Sequence, residues 1–164
     1  MSLQIQVKDL IQKPGTMKEL ELVHSLEHPL GTEVVAVSEG RELKLFVRLE
    51  SVHEGILVTV SGDAVADTEC SRCLEPMQEE IEIELQELFH YQPKEEDDFA
   101  IEQDRVDLEQ ALIDAVVPNL PIKPLCSEDC PGLCADCGEK LDVGVHSHEK
   151  PIDPRFDALK DFGS

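Results

Sequence analysis

The six cysteines are the residues most able to do chemistry, and four of them crowd into one stretch, Cys126-Ser-Glu-Asp-Cys130-Pro-Gly-Leu-Cys134-Ala-Asp-Cys137-Gly138. A thiolate is a soft, strong ligand for Zn²⁺, and four of them close a tetrahedral shell. Cys134-x-x-Cys137-Gly138 has the spacing of a metal knuckle, in which both sulfurs point to one side and the glycine lets backbone amides approach them. A second pair, Cys70-Ser-Arg-Cys73, lies far upstream, and His146 and His148 follow closely downstream. Two arrangements compete. In one, Cys126, Cys130, Cys134 and Cys137 close a single site and leave Cys70 and Cys73 free. In the other, Cys70 and Cys73 join Cys126 and Cys130, while Cys134 and Cys137 take His146 and His148. The second uses every thiol, cross-links distant parts of the chain, and is the arrangement preferred. The cofactor expected is Zn²⁺, one or two ions. A Cys₄ shell around Zn²⁺ is left with a net negative charge, which Arg72 and Lys140 are placed to balance.

Positioning those ligands falls to β-structure. Leu3, Ile5 and Val7 alternate with polar residues, the period of a half-buried strand, and Pro14-Gly15 marks a turn. Strands are predicted around Leu20–Leu22 and Val34–Val37. The strongest signal is Leu43, Leu45, Val47 and Leu49, followed across a His53-Glu-Gly55 turn by Ile56, Val58 and Val60. These two runs predict adjacent antiparallel strands. Alternation resumes at Ile81, Ile83 and Leu85, which places Cys70-x-x-Cys73 at a hairpin tip. The phase slips at Glu87-Leu88, predicting a bulge or the end of regular pairing.

Downstream, Lys94 to Asp104 reads as an acidic linker of low order. Asp107-Leu-Glu-Gln110 predicts a capping box opening a short helix with Leu108, Ala111, Leu112, Ala115 and Val116 on one face. Pro118 should stop that helix, and Pro118, Pro121 and Pro124 should draw the chain into an extended strap that leads into Cys126. Asp153-Pro154 predicts the start of a terminal helix carrying Phe156, Leu159 and Phe162.

Length and composition narrow the function. A chain of 164 residues suits one domain. With 36 acidic against 14 basic residues its formal charge is −22, which repels phosphate and argues against a direct grip on RNA or DNA. A basic protein partner fits better. No apolar run is long enough to span a membrane and the N-terminus lacks a signal-peptide core, so a cytoplasmic protein is expected. Clustered cysteines in that reducing compartment read as metal ligands rather than disulfides. His-Glu-x-x-His, Gly-x-Ser-x-Gly and phosphate-binding glycine loops are all missing, and thiolate-rich shells are mostly structural. No catalytic residues and no small-molecule substrate are therefore expected.

Three segments, Thr68-Glu-Cys-Ser-Arg-Cys-Leu-Glu-Pro76, Leu120-Pro-Ile-Lys-Pro-Leu-Cys-Ser-Glu-Asp-Cys-Pro-Gly-Leu-Cys-Ala-Asp-Cys-Gly138 and Ile152-Asp-Pro-Arg155, give the chain a resemblance to the YceD-like family of large ribosomal RNA subunit accumulation proteins. Family members commonly carry Cys-x-Cys where this chain has His146-Ser-His148, a departure that keeps metal-binding residue types. The resemblance implies a non-enzymatic role in accumulation of large-subunit ribosomal RNA.

The expected fold is mainly β (α+β): an antiparallel sheet or small open barrel with one packed helix and a cysteine-rich, zinc-binding C-terminal strap. Residues 1–92 would form the β domain with the Cys-x-x-Cys hairpin tip and 93–105 the acidic linker. Residues 106–164 would form the helix, strap, metal segment and terminal helix, packed on the same domain. The expected function is ribosome biogenesis through contact with a basic ribosomal protein or a large-subunit assembly intermediate. The alternative is a zinc- or thiol-based redox or metal-sensing protein.

Overall fold

A computed structural model describes residues 3–141 together with His148 and Arg155. The strand content comes from the period-two runs, which put one side chain in two onto a common face. In chain order the strands are β1 (Gln4–Gln6), β2 (Met17–Ser25), β3 (Leu30–Gly31), β4 (Val35–Val37), β5 (Glu42–Ser51), β6 (Gly55–Glu69), β7 (Pro76–His90) and β8 (Arg105–Asp107). Among the described residues one α-helix, α1 (Glu109–Val116), follows, continued by a 3-10 turn (Val117–Asn119).

The main sheet is antiparallel and curls into a half-barrel. Its spine is β6, which pairs along its whole length with β7 on one side. On its other side it pairs with β5 and then, further on, with β4. β2 extends the sheet beyond β5, and β3 beyond β4. Register puts Leu20, Val47, Val60 and Leu85 in one row, and Val47, Val60 and Leu85 are all buried. One continuous core, aliphatic but for Phe89, joins these rows to Leu3, Ile5 and Val7 of the first segment and to Leu108, Ala111, Leu112 and Val116 around the helix. The helix packs against β7 and β3, so it lies across the open side of the curl.

Several local expectations shift. The β6–β7 register runs without interruption through Val58↔Glu87, Leu57↔Leu88 and Ile56↔Phe89, so the predicted bulge does not form. Glu87 shares the parity of Leu85 and Phe89 but is exposed. The hydrophobic pattern therefore fails there while the backbone does not slip. The capping box is also absent. Asp107 is still extended in β8, paired with Gln4, and Leu108 is the residue at the N-cap. The Asp107 carboxylate nonetheless accepts the Glu109 N–H at 3.1 Å, while Gln110 donates forward to Asp114. Pro118 does not end the helical path. It enters the 3-10 turn, where its missing N–H costs little, and the chain becomes extended at Leu120 (φ −64°, ψ 144°).

The acidic stretch is better fastened than its composition suggests. Asp98 accepts N–H bonds from Lys94 and Glu95, which hold its carboxyl below the ordinary carboxylate range. Phe99 stacks on Phe89 with ring centroids 5.2 Å apart. His90 donates its N–H to the Phe99 carbonyl and accepts from Ile101. Among the described residues no helix is long and apolar enough to cross a membrane. The predicted terminal helix lies outside the described residues apart from Arg155.

Candidate metal centre

The β6–β7 hairpin closes on Glu69↔Pro76, which leaves Cys70-Ser71-Arg72-Cys73 as its turn. The Cys70 N–H donates to the Glu75 carbonyl, and the Cys70 carbonyl accepts from Leu74, both at 2.9 Å. Leu74 takes a left-handed conformation, φ +59°. The downstream pair repeats this pattern: the Cys134 N–H donates to Glu139 at 2.7 Å, the Gly138 N–H donates to Cys134 at 2.9 Å, and Gly138 has φ +75°. Two Cys-x-x-Cys turns thus share one fold, with a left-handed residue directly after the second cysteine. At Gly138 that conformation costs little, whereas at Leu74 it costs about 1–2 kcal/mol. Leu74 is exposed, so Leu74→Gly should raise stability by roughly 0.5 kcal/mol, after the entropy of the more flexible unfolded chain is subtracted. Chemical denaturation of the metal-loaded protein checks this, and a clear loss of stability would contradict it.

The strap brings the remaining thiols to the hairpin tip. Ser71 donates its N–H to the Pro124 carbonyl at 2.8 Å, two residues before Cys126. The Arg72 guanidinium donates to the carbonyls of Glu128 (3.1 Å) and Cys130 (3.0 Å). Gly132, at φ +81°, passes so close that a Cβ would lie 3.2 Å from the Arg72 carbonyl. Cys70 and Cys130 sulfurs are 3.8 Å apart and those of Cys73 and Cys126 are 3.7 Å apart. All four sulfurs lie within 4.8 Å of one another.

These separations decide between bond types. A disulfide needs about 2.05 Å, and all four are free thiols. A tetrahedral shell with Zn–S near 2.3 Å has edges of roughly 3.8 Å, which the two closest pairs match. Cys70, Cys73 and Cys130 are buried against Met77, Leu125 and Leu133, and Cys126 alone of the four is exposed.

The protonation of the cluster points the same way. Backbone N–H groups of Cys126, Cys73 and Arg72 lower the Cys70 thiol to about 6. Hydrogen bonding to Cys130, Cys73 and Cys70 pushes Cys126 up to about 12, and burial raises Cys73. Thiols this close cannot all ionise together without a neutralising cation. The donor set therefore fits a soft divalent ion.

A second group forms beside the first. Cys134, Cys137 and His148 bring their ligand atoms within 4.8 Å of one another. The Asp136 N–H approaches the Cys134 sulfur at 3.4 Å, and it and the Cys137 N–H lower that thiol. His146 lies outside the described residues. Lys140 forms an ion pair with Glu75, so it braces one knuckle against the other, and Arg72 grips carbonyls. Both act on the frame around the thiols. Read along the chain, the sequence gives no sign of the roles of Ser71 and Leu74, and it marks Glu75 only as part of a turn. Superposing the two Cys-x-x-Cys segments would have set Leu74 over Gly138 and exposed its unusual backbone.

A curled β scaffold whose hairpin tip gathers thiols from a tail far along the chain defines a protein built around candidate metal-binding cysteine clusters. The chain belongs to the YceD family: the family described as large ribosomal RNA subunit accumulation protein YceD matches residues 58–163. It is 42% identical to the uncharacterized protein Rv2926c of Mycobacterium tuberculosis over 165 residues, covering 94% of this chain and 78% of that protein. It is 37% identical to the uncharacterized protein ML1660 of Mycobacterium leprae over 165 residues, covering 95% and 75% respectively. No solved structure matches it.

Proposed function

We propose that this protein is a non-enzymatic, cytoplasmic factor that supports accumulation of large-subunit ribosomal RNA through protein contacts, with Zn²⁺ holding its tail to its scaffold. The family description supports the ribosomal part. The observation that carries the rest is the four-thiol pocket at the hairpin tip. Cys70, Cys73, Cys126 and Cys130 would hold one ion, and Cys134, Cys137 and His148 a second, with His146 as its fourth ligand. A catalytic zinc keeps an open position for water, whereas a four-thiolate shell is closed. Zinc would here supply cross-linking rather than chemistry. Residues 1–92 serve as the scaffold, and 93–105 connect it to 106–164, which carry the strap and metal segment.

The charge of −22 favours a basic ribosomal protein or a large-subunit assembly intermediate over bare RNA. The alternative of a thiol redox switch is weakened by the burial of Cys70, which has no exposed surface, because reactive thiols are partly exposed. The test is depletion of the protein, which should lower large-subunit relative to small-subunit ribosomal RNA, while the tagged protein co-sediments with large-subunit precursors at physiological salt. An unchanged RNA ratio together with loss of all ribosomal partners would overturn the reading.

A further inference from the structure

Among the described residues β7 pairs with β6 along one edge and has no strand partner along the other, and its register tells the two edges apart. The Cys70 N–H bonds Glu75 just beyond the last hairpin pair, Glu69↔Pro76. Bonded and non-bonded pairs alternate along an antiparallel ladder, so the odd-numbered residues of β7 bond β6 and the even-numbered ones aim their backbone groups outward. His90 agrees with this parity, because it bonds Phe99 and Ile101 on the far side. Between Gln78 and Leu88 no other described backbone group bonds that edge.

The bare edge opens on a groove of about 420 Å³, within the usual range for ligand sites. Glu79, Glu80, Glu82 and Glu84 line one side, and Val116 and Leu120 line the other. Across the β6–β7 pair, Glu80, Glu82 and Glu84 face Val65, Asp63 and Ser61, none of them a cation, and Arg41, which shares a pocket with Glu80 and Glu82, pairs with Asp67. The carboxyl end of α1 sits at the same groove and adds its partial negative charge. Such an edge repels a second copy of itself, since glutamates would face glutamates. It suits a strand of opposite charge.

We propose that the bare edge of β7 takes an extended, lysine- and arginine-rich segment of a partner protein as an added strand. The segment's backbone pairs with the even-numbered residues of β7. Its basic side chains lie over Glu80, Glu82 and Glu84, and its alternate apolar side chains rest on Val116 and Leu120. This inference rests on the reading that the chain works through a basic protein partner, and it names the surface that partner uses.

The probe is a synthetic peptide of about ten residues alternating lysine and valine, long enough for roughly 35 Å of edge at ~3.4 Å per residue. Its binding to the full, zinc-replete chain is followed by fluorescence anisotropy at physiological salt. Glu80→Lys/Glu82→Lys/Glu84→Lys should weaken binding about tenfold or more, as expected for three lost charge pairs. The same reversal at the exposed Glu19, Glu21 and Glu42 should change it by less than about twofold if attraction is local. The probe with alternate amides N-methylated keeps its charge but cannot pair, and it too should bind about tenfold more weakly. Unchanged circular dichroism and metal content certify that each variant is folded. Equal weakening by both triple variants, or equal binding of the methylated probe, would reduce the effect to diffuse charge and overturn the proposal. So would a dimer of the chain that the β7 variant dissolves. If the β7 variant still co-sediments with large-subunit precursors, the docking surface is wrong and the functional reading stands. If the probe binds as expected but depletion leaves ribosomal RNA unchanged, the reading fails and the surface stands.

Discussion

On the proposed two-ion reading, Cys70→Ser should release one of the two ions and free the strap from the sheet while leaving the sheet folded. Cys70 has no exposed surface and its sulfur lies 3.8 Å from that of Cys130. Serine offers a harder, weaker ligand and breaks the four-thiol set. The consequence reaches beyond the site, because Cys73 and Cys126 are 53 residues apart along the chain. A cross-link closing a loop of that length removes about 4 kcal/mol of unfolded-state entropy, so the variant should lose stability of that order, or roughly 10 °C in Tm. Hydrogen exchange should accelerate through residues 119–141, where the Ser71–Pro124 and Arg72–Cys130 bonds lose their anchor. Protection of β5 and β6 should persist, since their core is aliphatic and lies in a separate cluster. Cys137→Ser should release the other ion with a smaller loss of stability, because its partners Cys134 and His148 are near in sequence. Elemental analysis of both variants provides the comparison. Two ions retained in Cys70→Ser, or an unchanged strap, would remove the cross-link from this account.

The sheet was readable because one of its faces is wet: a half-solvated strand must alternate, and the buried residues take every second position through β5 and, with Gly62 only half-buried, from Ile56 to Thr68 in β6. The hairpin tip was readable for the same reason, as Cys70 and Cys73 fall between two runs of known phase. Alternation carries no partner address, however. Nothing near Gln4 announces Asp107, yet β1 pairs with β8 across the whole core, and that closure recruits Asp107 into a strand and moves the helix start by one residue. The ligand sets had the same ambiguity. Proximity along the chain favours grouping Cys126 and Cys130 with Cys134 and Cys137, whereas the strap carries the first two to the hairpin through the Ser71 and Arg72 bonds. The order of the acidic stretch was hidden because its anchors are few and specific. Asp98 and Phe99 hold it, and composition averages over both.

Phe89→Ala should destabilise the protein by about 3–5 kcal/mol, the range for removing a buried aromatic ring, and should leave both metal ions in place. Phe89 is 1% exposed and is among the largest fully buried side chains. It pairs with Ile56 at the open end of the β6–β7 hairpin, whose strands run fifteen residues each from the thiol turn. Its ring stacks on Phe99, and the adjoining His90 backbone holds Phe99 and Ile101. Losing the ring therefore removes core contacts and the clamp on the acidic stretch together. Exchange should quicken first in residues 93–104, next in β8, which follows directly, and then in β1, whose one strand partner among the described residues is β8. Metal held at the hairpin tip should stay, because Cys70, Cys73 and Cys130 form a separate cluster at the opposite end of the hairpin. Urea denaturation with metal analysis of the folded protein separates the two effects. A Phe89→Ala protein that lost zinc in proportion to its stability would mean that core and metal centres unfold as one cooperative unit. The contrast with Cys70→Ser, which should spare the core and free the strap, would then disappear.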